Sequence, residues 1–320
     1  MKQLINYCPV PGYDNDIPTT DEALKSYLDL TGLDGVELFI YQKQPYAVSY
    51  LNNTVGVHLK YWPFWLDFWR EEKDFLKKKF VTKENMGEFY FGAENREEWL
   101  DAIREHIKVA LKEEPEYLVW HVSESDDEEI FTFDFKYSDK EVIEGAAEVY
   151  NAVKEIIPRN VKVLFENLWW PGLKLTDKKV VETFFQLIKD DNAGIMLDTG
   201  HLMNTNPALK SEEEAAKYLC EVVNDLGNLK DRIKGLHLSC SLSGEYLSSF
   251  CRNKPVQADY MEVMNHIINI DRHQAWSTNT IGDLLKMVNP EYVVHELYYN
   301  DFSELTELVK KQQALFSQNK

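Results

Sequence analysis

The sequence is poor in the residues that mark several classes of protein. Its 320 residues include only 4 Cys, 14 Gly and 11 Pro, and no two cysteines form a Cys-x-x-Cys pair. This scarcity excludes a disulfide scaffold, a zinc ribbon and a low-complexity chain, and it predicts free thiols. The sequence has no run of about 18 apolar residues, and its start lacks the apolar core of a signal peptide. We therefore expect a cytoplasmic protein with no membrane partner.

Basic residues are scarce relative to acidic ones. The chain carries 35 Lys and Arg against 54 Asp and Glu, which gives a formal net charge of −19. Such a surface repels a polyphosphate backbone, so the charge disfavours an extended nucleic-acid interface. A pocket that holds bound cations could still attract a single phosphate, because the ions dominate the local field.

The sequence does contain a regular alternation of strand-like and helix-like segments. Eight runs rich in β-branched and aromatic residues cover 3–7, 35–41, 54–61, 117–123, 161–168, 193–198, 233–240 and 292–299. Helix-period segments separate them, with capping signals such as Thr19 with Glu22, and Ser138 and Ser211 before two long amphipathic stretches. Eight βα units, with no linker or repeat between them, predict an α/β fold: a single-domain (β/α)8 TIM barrel over residues 1–320.

An aromatic-rich insertion, residues 62–94, follows the third run. The segment YWPFWLDFW places six aromatic residues within nine positions. Trp62 and Trp65, together with Trp169 after the fifth run, could line a pocket and stack on a sugar or base ring. The same residues could instead form a hydrophobic cluster under a long loop, or bury a subunit interface in an oligomer. The sequence leaves these three interpretations open.

Histidines and carboxylates concentrate where the predicted strands end, which is where parallel barrels assemble their active sites. Seven such residues lie late in the runs or shortly after them, and a further pair lies in the segment IDRHQAW. The nine are His58, His121, Glu166, Asp198, His201, His237, Asp271, His273 and Glu296. Side chains alternate along a strand, so Glu296 and His295 point to opposite faces. We expect Glu296 to face the barrel axis and His295 to pack between strand and helix. Glu37 is expected at the pocket rim or in a structural pair.

So many carboxylates with few basic residues beside them need a counterion. A divalent metal would supply it, and imidazole and carboxylate ligands without thiolate suit zinc first and manganese second. A single histidine or carboxylate in such a position is more often structural, but nine at one end of a barrel are hard to explain in that way. The sequence therefore predicts a site for one to three divalent metal ions.

The segments that carry these residues resemble a known family. GVHLKY, VWHVSES, LFENLWWPG, MLDTGHL, GLHLSCS, IDRHQAW and VVHEL follow one another from the third predicted strand to the eighth. In this order they resemble the xylose isomerase-like TIM barrels, which include sugar isomerases and epimerases and the abasic-site endonuclease IV group, or AP endonuclease family 2. The resemblance implies a TIM-barrel fold and a metal-dependent enzyme.

The two branches of this family imply different metal counts. The epimerase branch implies one metal, held by Glu166, Asp198, His237 and Glu296. The two glutamates of that set would also serve as catalytic acid and base. The endonuclease branch implies three zinc ions, held by three groups: His58, His121 and Glu166; Glu166, Asp198, His237 and Glu296; and His201, Asp271 and His273.

Three functions of different classes stay open. A metal cluster favours hydrolysis of a phosphoester, because closely spaced metals activate water and clamp the attacking and leaving oxygens. The first alternative is a metal-dependent isomerase or epimerase of a sugar or sugar phosphate, and the second is a non-catalytic binding barrel. The expected partner is therefore a small sugar or a phosphorylated molecule.

Overall fold

Eight parallel strands form a closed barrel in sequence order, with β8 paired to β1. The computed structural model describes residues 1–9, 18–80, 82–255 and 259–317. The strands are β1 (Lys2–Tyr7), β2 (Gly35–Ile40), β3 (Thr54–Leu59), β4 (Tyr117–His121), β5 (Lys162–Glu166), β6 (Ala193–Asp198), β7 (Ile233–His237) and β8 (Tyr292–His295). Each predicted run coincides with one strand, so the (β/α)8 barrel is confirmed.

Helices surround the barrel and fill the connections between its strands. The described residues contain the α-helices α1 (Asp21–Thr31), α2 (Leu66–Trp69), α3 (Lys73–Lys79), α4 (Lys83–Phe89), α5 (Arg96–Leu111), α6 (Glu129–Thr132), α7 (Asp139–Val153), α8 (Lys178–Ile188), α9 (Thr199–Asn204), α10 (Glu212–Asp225), α11 (Gly244–Ser249), α12 (Tyr260–Ile270), α13 (Gly282–Val288) and α14 (Phe302–Ser317). Short 3₁₀ turns lie at Lys154–Ile156, Gly227–Arg232 and Asn279–Ile281. No helix in these ranges is long and apolar enough to cross a membrane.

The helix-capping signals are confirmed at two positions and shifted at a third. Ser138 forms a complete capping box with Glu141, and the Ser211 side chain caps α10. The predicted pairing of Thr19 with Glu22 is wrong by one residue. Thr20 has the extended backbone that an N-cap needs, and its Oγ1 accepts the backbone N–H of Ala23 at 3.1 Å. Such a cap is typically worth about 1 kcal/mol.

An apolar layer fills the barrel interior below the carboxyl-terminal ends of the strands. Alternation along the strands turns one face of each inward. The buried apolar cluster there consists of Leu4, Val55, Tyr117, Val119, Leu164, Met196, Tyr292 and Val294. The large Tyr117 ring fits because the neighbouring strand has Gly56, where an added Cβ would lie 2.1 Å from the Cζ atom of Tyr117. This layer separates the two ends of the barrel.

The insertion after β3 forms the short helices α2, α3 and α4, with residue 81 outside the described part. Most of its aromatic side chains belong to the main hydrophobic core or pack against it. Phe68 stacks on Tyr90 at 3.9 Å between ring centroids, and Trp62 meets Trp99 of α5 edge to face at 5.6 Å. The insertion is thus anchored to α5 by buried aromatic contacts.

Charges at the amino-terminal end of the barrel are paired within the protein. Lys2 pairs with Glu116, and Lys162 Nζ lies 3.0 Å from Glu291 Oε2. The Tyr292 hydroxyl accepts from Lys162 at 3.2 Å and donates to Glu116 at 3.0 Å. All four cysteines lie in the described ranges, and no disulfide joins them.

Candidate metal centre

The nine predicted residues meet at the carboxyl-terminal end of the barrel. Each lies late in a strand, directly after one, in the following short helix, or in the segment after α12. We refer to them together as the metal centre: His58, His121, Glu166, Asp198, His201, His237, Asp271, His273 and Glu296. Seven of the nine are buried, and His121 and Glu296 are half-buried. The structure therefore brings all nine together, while their role as ligands stays a prediction.

The first group contains His58, His121 and Glu166. His58 Nε2 and His121 Nε2 lie 3.1 and 2.8 Å from Glu166 Oε2, and the two nitrogens are 3.0 Å apart. His58 Nδ1 is 3.0 Å from the carbonyl oxygen of Leu59, which can only accept, so Nδ1 carries the hydrogen. The inner nitrogen of His58 consequently offers a lone pair to the centre of the group.

The second group contains Glu166, Asp198, His237 and Glu296. His237 Nδ1 lies 3.0 Å from Glu166 Oε1, 2.8 Å from Glu296 Oε2 and 3.9 Å from Asp198 Oδ2. Asp198 Oδ2 is buried and has no hydrogen-bond partner among the described residues. Buried oxygens without partners are costly, so the donor set fits a cation at this position. Glu166 directs one oxygen to each of the first two groups.

The third group contains His201, Asp271 and His273. The Nε2 atoms of His201 and His273 lie 3.1 and 2.6 Å from Asp271 Oδ2. Their Nδ1 atoms donate to backbone carbonyl oxygens, of Asn167 at 2.8 Å and of Glu296 at 2.9 Å. Both Nε2 atoms therefore face Asp271, and each would present a lone pair to an ion once its ring is neutral. His273 also has a left-handed backbone, with φ of 41°, a strained conformation of the kind found at functional sites.

Helix α9 joins the second group to the third. Asp198 ends β6 and acts as the N-cap of α9, where its Oδ1 accepts the backbone N–H of His201 at 2.6 Å. Its other oxygen, Oδ2, faces His237. One carboxylate thus caps the helix that carries His201 and also faces the second group.

The carboxylates of the metal centre have histidines as their charged partners. None of its carboxylates forms an ion pair with a lysine or arginine of the described residues. Burial raises the pKa of Asp198 to about 7. Burial lowers the pKa of His273, but the charge and hydrogen bond of Asp271, together with the charges of Glu296 and Asp198, raise it to about 10. Burial dominates at His121 and lowers its pKa.

The remaining three histidines are structural. As alternation predicts, His295 points away from the barrel axis, where its Nδ1 accepts from Gln312 of α14 at 2.8 Å. His106 accepts the backbone N–H of Lys60 at 3.1 Å, and His266 lies 2.8 Å from the carbonyl oxygen of Ile130. Burial lowers the pKa of all three, to about 3 for His295 and about 4 for His106.

Glu37 lies inside the barrel and not at a pocket rim. It is fully buried inside the barrel, and His237 Nε2 lies 3.0 and 3.1 Å from its two oxygens. Of the two expectations for Glu37, the rim position is wrong, because Glu37 pairs opposite Gly56 in the middle of the sheet and below the strand ends, and the structural pair agrees with its contact to His237. A single charged residue within the apolar run GVELFI was the sequence signal for this position. Together with His58 and His237, Glu37 forms another group that could hold an ion.

The three tryptophans predicted to bind substrate lie in different surroundings. Trp169 is adjacent to the metal centre, with its ring centroid 5.2 Å from that of His201. Trp62 and Trp65 are buried in the main core, and their indole N–H groups donate to the carbonyl oxygens of Phe89 and Ser123. With His121 they line a narrow cavity beside the barrel. Substrate binding stays a prediction for all three, and the geometry favours Trp169.

Comparisons with known proteins agree with this architecture. Residues 27–282 match the family model described as a xylose isomerase-like TIM barrel. Similar solved structures include endonuclease IV from Thermus thermophilus, with a TM-score of 0.54, 13% identity, and coverage of 99% of this chain and 100% of that one. No curated protein matches the sequence significantly.

Two further solved structures belong to other reaction classes. D-allulose 3-epimerase from Methylomonas sp. has a TM-score of 0.55 and 8% identity over 100% of this chain and 98% of that one. Mannonate dehydratase from Streptococcus suis serotype 2 has a TM-score of 0.55 and 12% identity over 100% and 93%. At such identities the likeness concerns the fold and leaves the reaction undecided.

Proposed function

Because the chain belongs to the xylose isomerase-like TIM barrel family, we propose that it is a metal-dependent hydrolase of a phosphoester. The observation that carries the proposal is the arrangement of the nine side chains into three groups. In four of the five histidines the outer nitrogen faces a hydrogen-bond acceptor, which leaves the inner nitrogen free to bind a cation. A site for one sugar-binding metal needs only the second group.

Each group would hold one divalent ion, with zinc as the first choice. Imidazole and carboxylate ligands without thiolate fit zinc, and manganese is the alternative. Glu166 would contribute to the first two ions, since its two oxygens face different groups. Bound ions of this kind supply a nucleophilic hydroxide at neutral pH and stabilise negative charge on phosphoryl oxygens.

The two candidate catalytic glutamates differ in their access to substrate. The side chain of Glu296 is 21% exposed, whereas that of Glu166 is 1% exposed between the two groups. We infer that Glu296 would exchange a proton with a substrate and that Glu166 would serve as a ligand of the first two ions. Epimerisation by two glutamates would require both to reach the substrate. This difference supports the hydrolase over the epimerase.

The test is a paired assay on the wild type and on a variant of the third group. The wild type is screened against phosphoesters and against keto- and aldo-sugars, with metal content measured in parallel. The double change Asp271→Asn with His273→Ala should reduce phosphoester turnover by about 10³-fold or more, since it removes ligands for the charge-stabilising ion. Asp259→Asn with His266→Ala alters the preceding helix α12 and should leave turnover in place.

A metal-dependent sugar or sugar-phosphate isomerase is the second candidate, because the second group is complete in itself. It predicts sugar interconversion that survives the double change. That result would replace the hydrolase by the isomerase. Wild-type protein that carries no metal and binds neither zinc nor manganese would overturn both and favour a non-catalytic binding barrel.

A further inference from the structure

Glu37 is a buried carboxylate that reaches the metal centre from the barrel interior. It is fully buried and has no lysine or arginine partner among the described residues. Its partners are donors from three other strands: His237 Nε2 at 3.0 and 3.1 Å, the Tyr117 hydroxyl at 2.8 Å, and Asn6 Nδ2 at 3.3 Å. A carboxylate surrounded by donors is held in one orientation.

The barrel register explains why these groups meet. Glu37 pairs with Asn6 of β1 on one side and with Gly56 of β3 on the other. Gly56 leaves open the space that the Tyr117 ring enters, since a Cβ there would lie 2.5 Å from the Tyr117 hydroxyl oxygen. The ring therefore crosses beneath β3 and delivers its hydroxyl to Glu37.

We propose that Glu37 is a positioning residue that fixes the hydrogen of His237 on Nε2 and so turns the Nδ1 lone pair toward the second group. A neutral imidazole carries one ring hydrogen, and a carboxylate at Nε2 determines which nitrogen holds it. When the second-group ion is bound, Nδ1 would direct its lone pair to that ion, between Glu166 and Glu296, whose oxygens lie 3.0 and 2.8 Å away. The inference rests on the proposed function, because it concerns a histidine that would bind metal.

His237 differs from the other histidines of the metal centre in the group that contacts its outer nitrogen, the ring nitrogen that faces away from the proposed ion. That group is the side chain of Glu37. His58, His201 and His273 donate to backbone carbonyl oxygens, which a substitution does not remove. His121 Nδ1 has no partner among the described residues. The ring orientation of His237 is therefore the one that a single side-chain change can release.

The experiment compares Glu37→Ala and Glu37→Gln with the wild type. Zinc affinity is measured by competition with a chelator, and the His237 tautomer by long-range ¹H–¹⁵N correlations of the zinc-loaded, ¹⁵N-histidine protein. Alanine should weaken binding of the second-group ion by about 10- to 100-fold, the usual effect of losing an outer partner. Glutamine should lose less, because its amide oxygen still accepts from Nε2, and this conservative variant keeps the test valid if the alanine variant folds poorly.

Glu113→Gln is the matched control. Glu113 is also buried and accepts from the Ser49 hydroxyl and the Tyr50 backbone N–H, away from the metal centre. Its replacement should leave both readouts unchanged. Wild-type zinc affinity with an unaltered tautomer in Glu37→Ala would overturn the positioning role alone. If Glu37→Gln lost as much zinc affinity as Glu37→Ala, Glu37 would be a direct zinc ligand, and the positioning role would again be overturned. Failure of the wild type to bind zinc would instead remove the proposed function.

Discussion

Carboxylates gather at both ends of the barrel, but the two ends balance their charge differently. At the amino-terminal end Glu116 and Glu291 pair with Lys2 and Lys162. At the carboxyl-terminal end the carboxylates of the metal centre face imidazoles, and no described lysine or arginine pairs with them.

The amino-terminal end carries its own lysine counterions, whereas the carboxyl-terminal end would gain a counterion by binding a metal ion. A lysine stays charged across the physiological pH range, so the amino-terminal end is neutralised by the chain itself. Imidazoles can supply positive charge only while protonated, and they must lose that proton to bind a metal. The carboxyl-terminal end therefore takes either protons or metal ions, and its properties should depend on pH and metal supply.

The largest expected effect is the loss of metal on changing Glu166. Loss of a residue that only hydrogen-bonds to a metal ligand typically weakens metal binding by up to about 100-fold. Glu166→Gln should weaken zinc binding by more than this, because the Glu166 oxygens face two groups. His201→Ala should remove less metal, since His201 Nε2 faces only the third group. Metal per chain after dialysis, measured by elemental analysis, decides the order. Glu116→Gln at the other end is the control, and metal loss there would break the contrast between the ends.

The next effect is a pH-dependent stability of the metal-free protein. The pKa of His273 is raised to about 10 and that of Asp198 to about 7, so protonation of both stabilises the metal-free fold. The contribution of His273 is complete below its unfolded pKa of about 6.5 and is lost as the pH rises through its folded pKa. The free energy of unfolding of chelated protein should fall between about pH 6.5 and about pH 10.

Denaturant titrations at several pH values, with chelator or with zinc, measure this decline. Zinc takes the place of the protons, so the zinc-loaded protein should not follow the same curve. A metal-free protein whose stability stays level or rises over this window would contradict the pKa shift assigned to His273.

A smaller effect is expected from the amino-terminal end. Lys162→Met removes the ion pair with Glu291. The side chain of Lys162 is 32% exposed and that of Glu291 is 44% exposed. Solvent screens such a pair, so the change should cost about 0–1 kcal/mol of unfolding free energy. Metal content should remain at the wild-type level. Chemical denaturation together with elemental analysis checks both statements, and a loss of metal would show that the two ends are coupled.

The smallest effect is expected with nucleic acid. The net charge of −19 opposes binding of a long polyphosphate, so an abasic-site duplex should bind weakly or undetectably at about 150 mM salt. A gel-shift titration measures this. Sub-micromolar, salt-sensitive binding would show that the metal centre lies within a DNA interface and would support an endonuclease.

The histidines and carboxylates at the strand ends were predictable from the sequence, whereas the contacts between side chains inside the barrel were not. The β-branched runs located the strands, and seven residues of the metal centre followed from their positions near the strand ends. Asp271 and His273 lie after helix α12 instead, and they were identified from the segment IDRHQAW. Thr20 rather than Thr19 caps α1 because backbone conformation decides between adjacent threonines. The contact of Glu37 with His237 joins residues 200 positions apart, and only the register of the closed barrel brings them together.

The capping of α9 by Asp198 has a consequence for the length of the segment DTGH. The hydrogen bond from the His201 backbone to Asp198 sets their separation at three residues, which is the reach of an N-cap side chain. One residue inserted between them would rotate the His201 side chain by about 100° around the helix axis. Among homologous chains that keep both side chains at this centre, the segment should therefore tolerate exchange of its two middle residues more readily than any change in length.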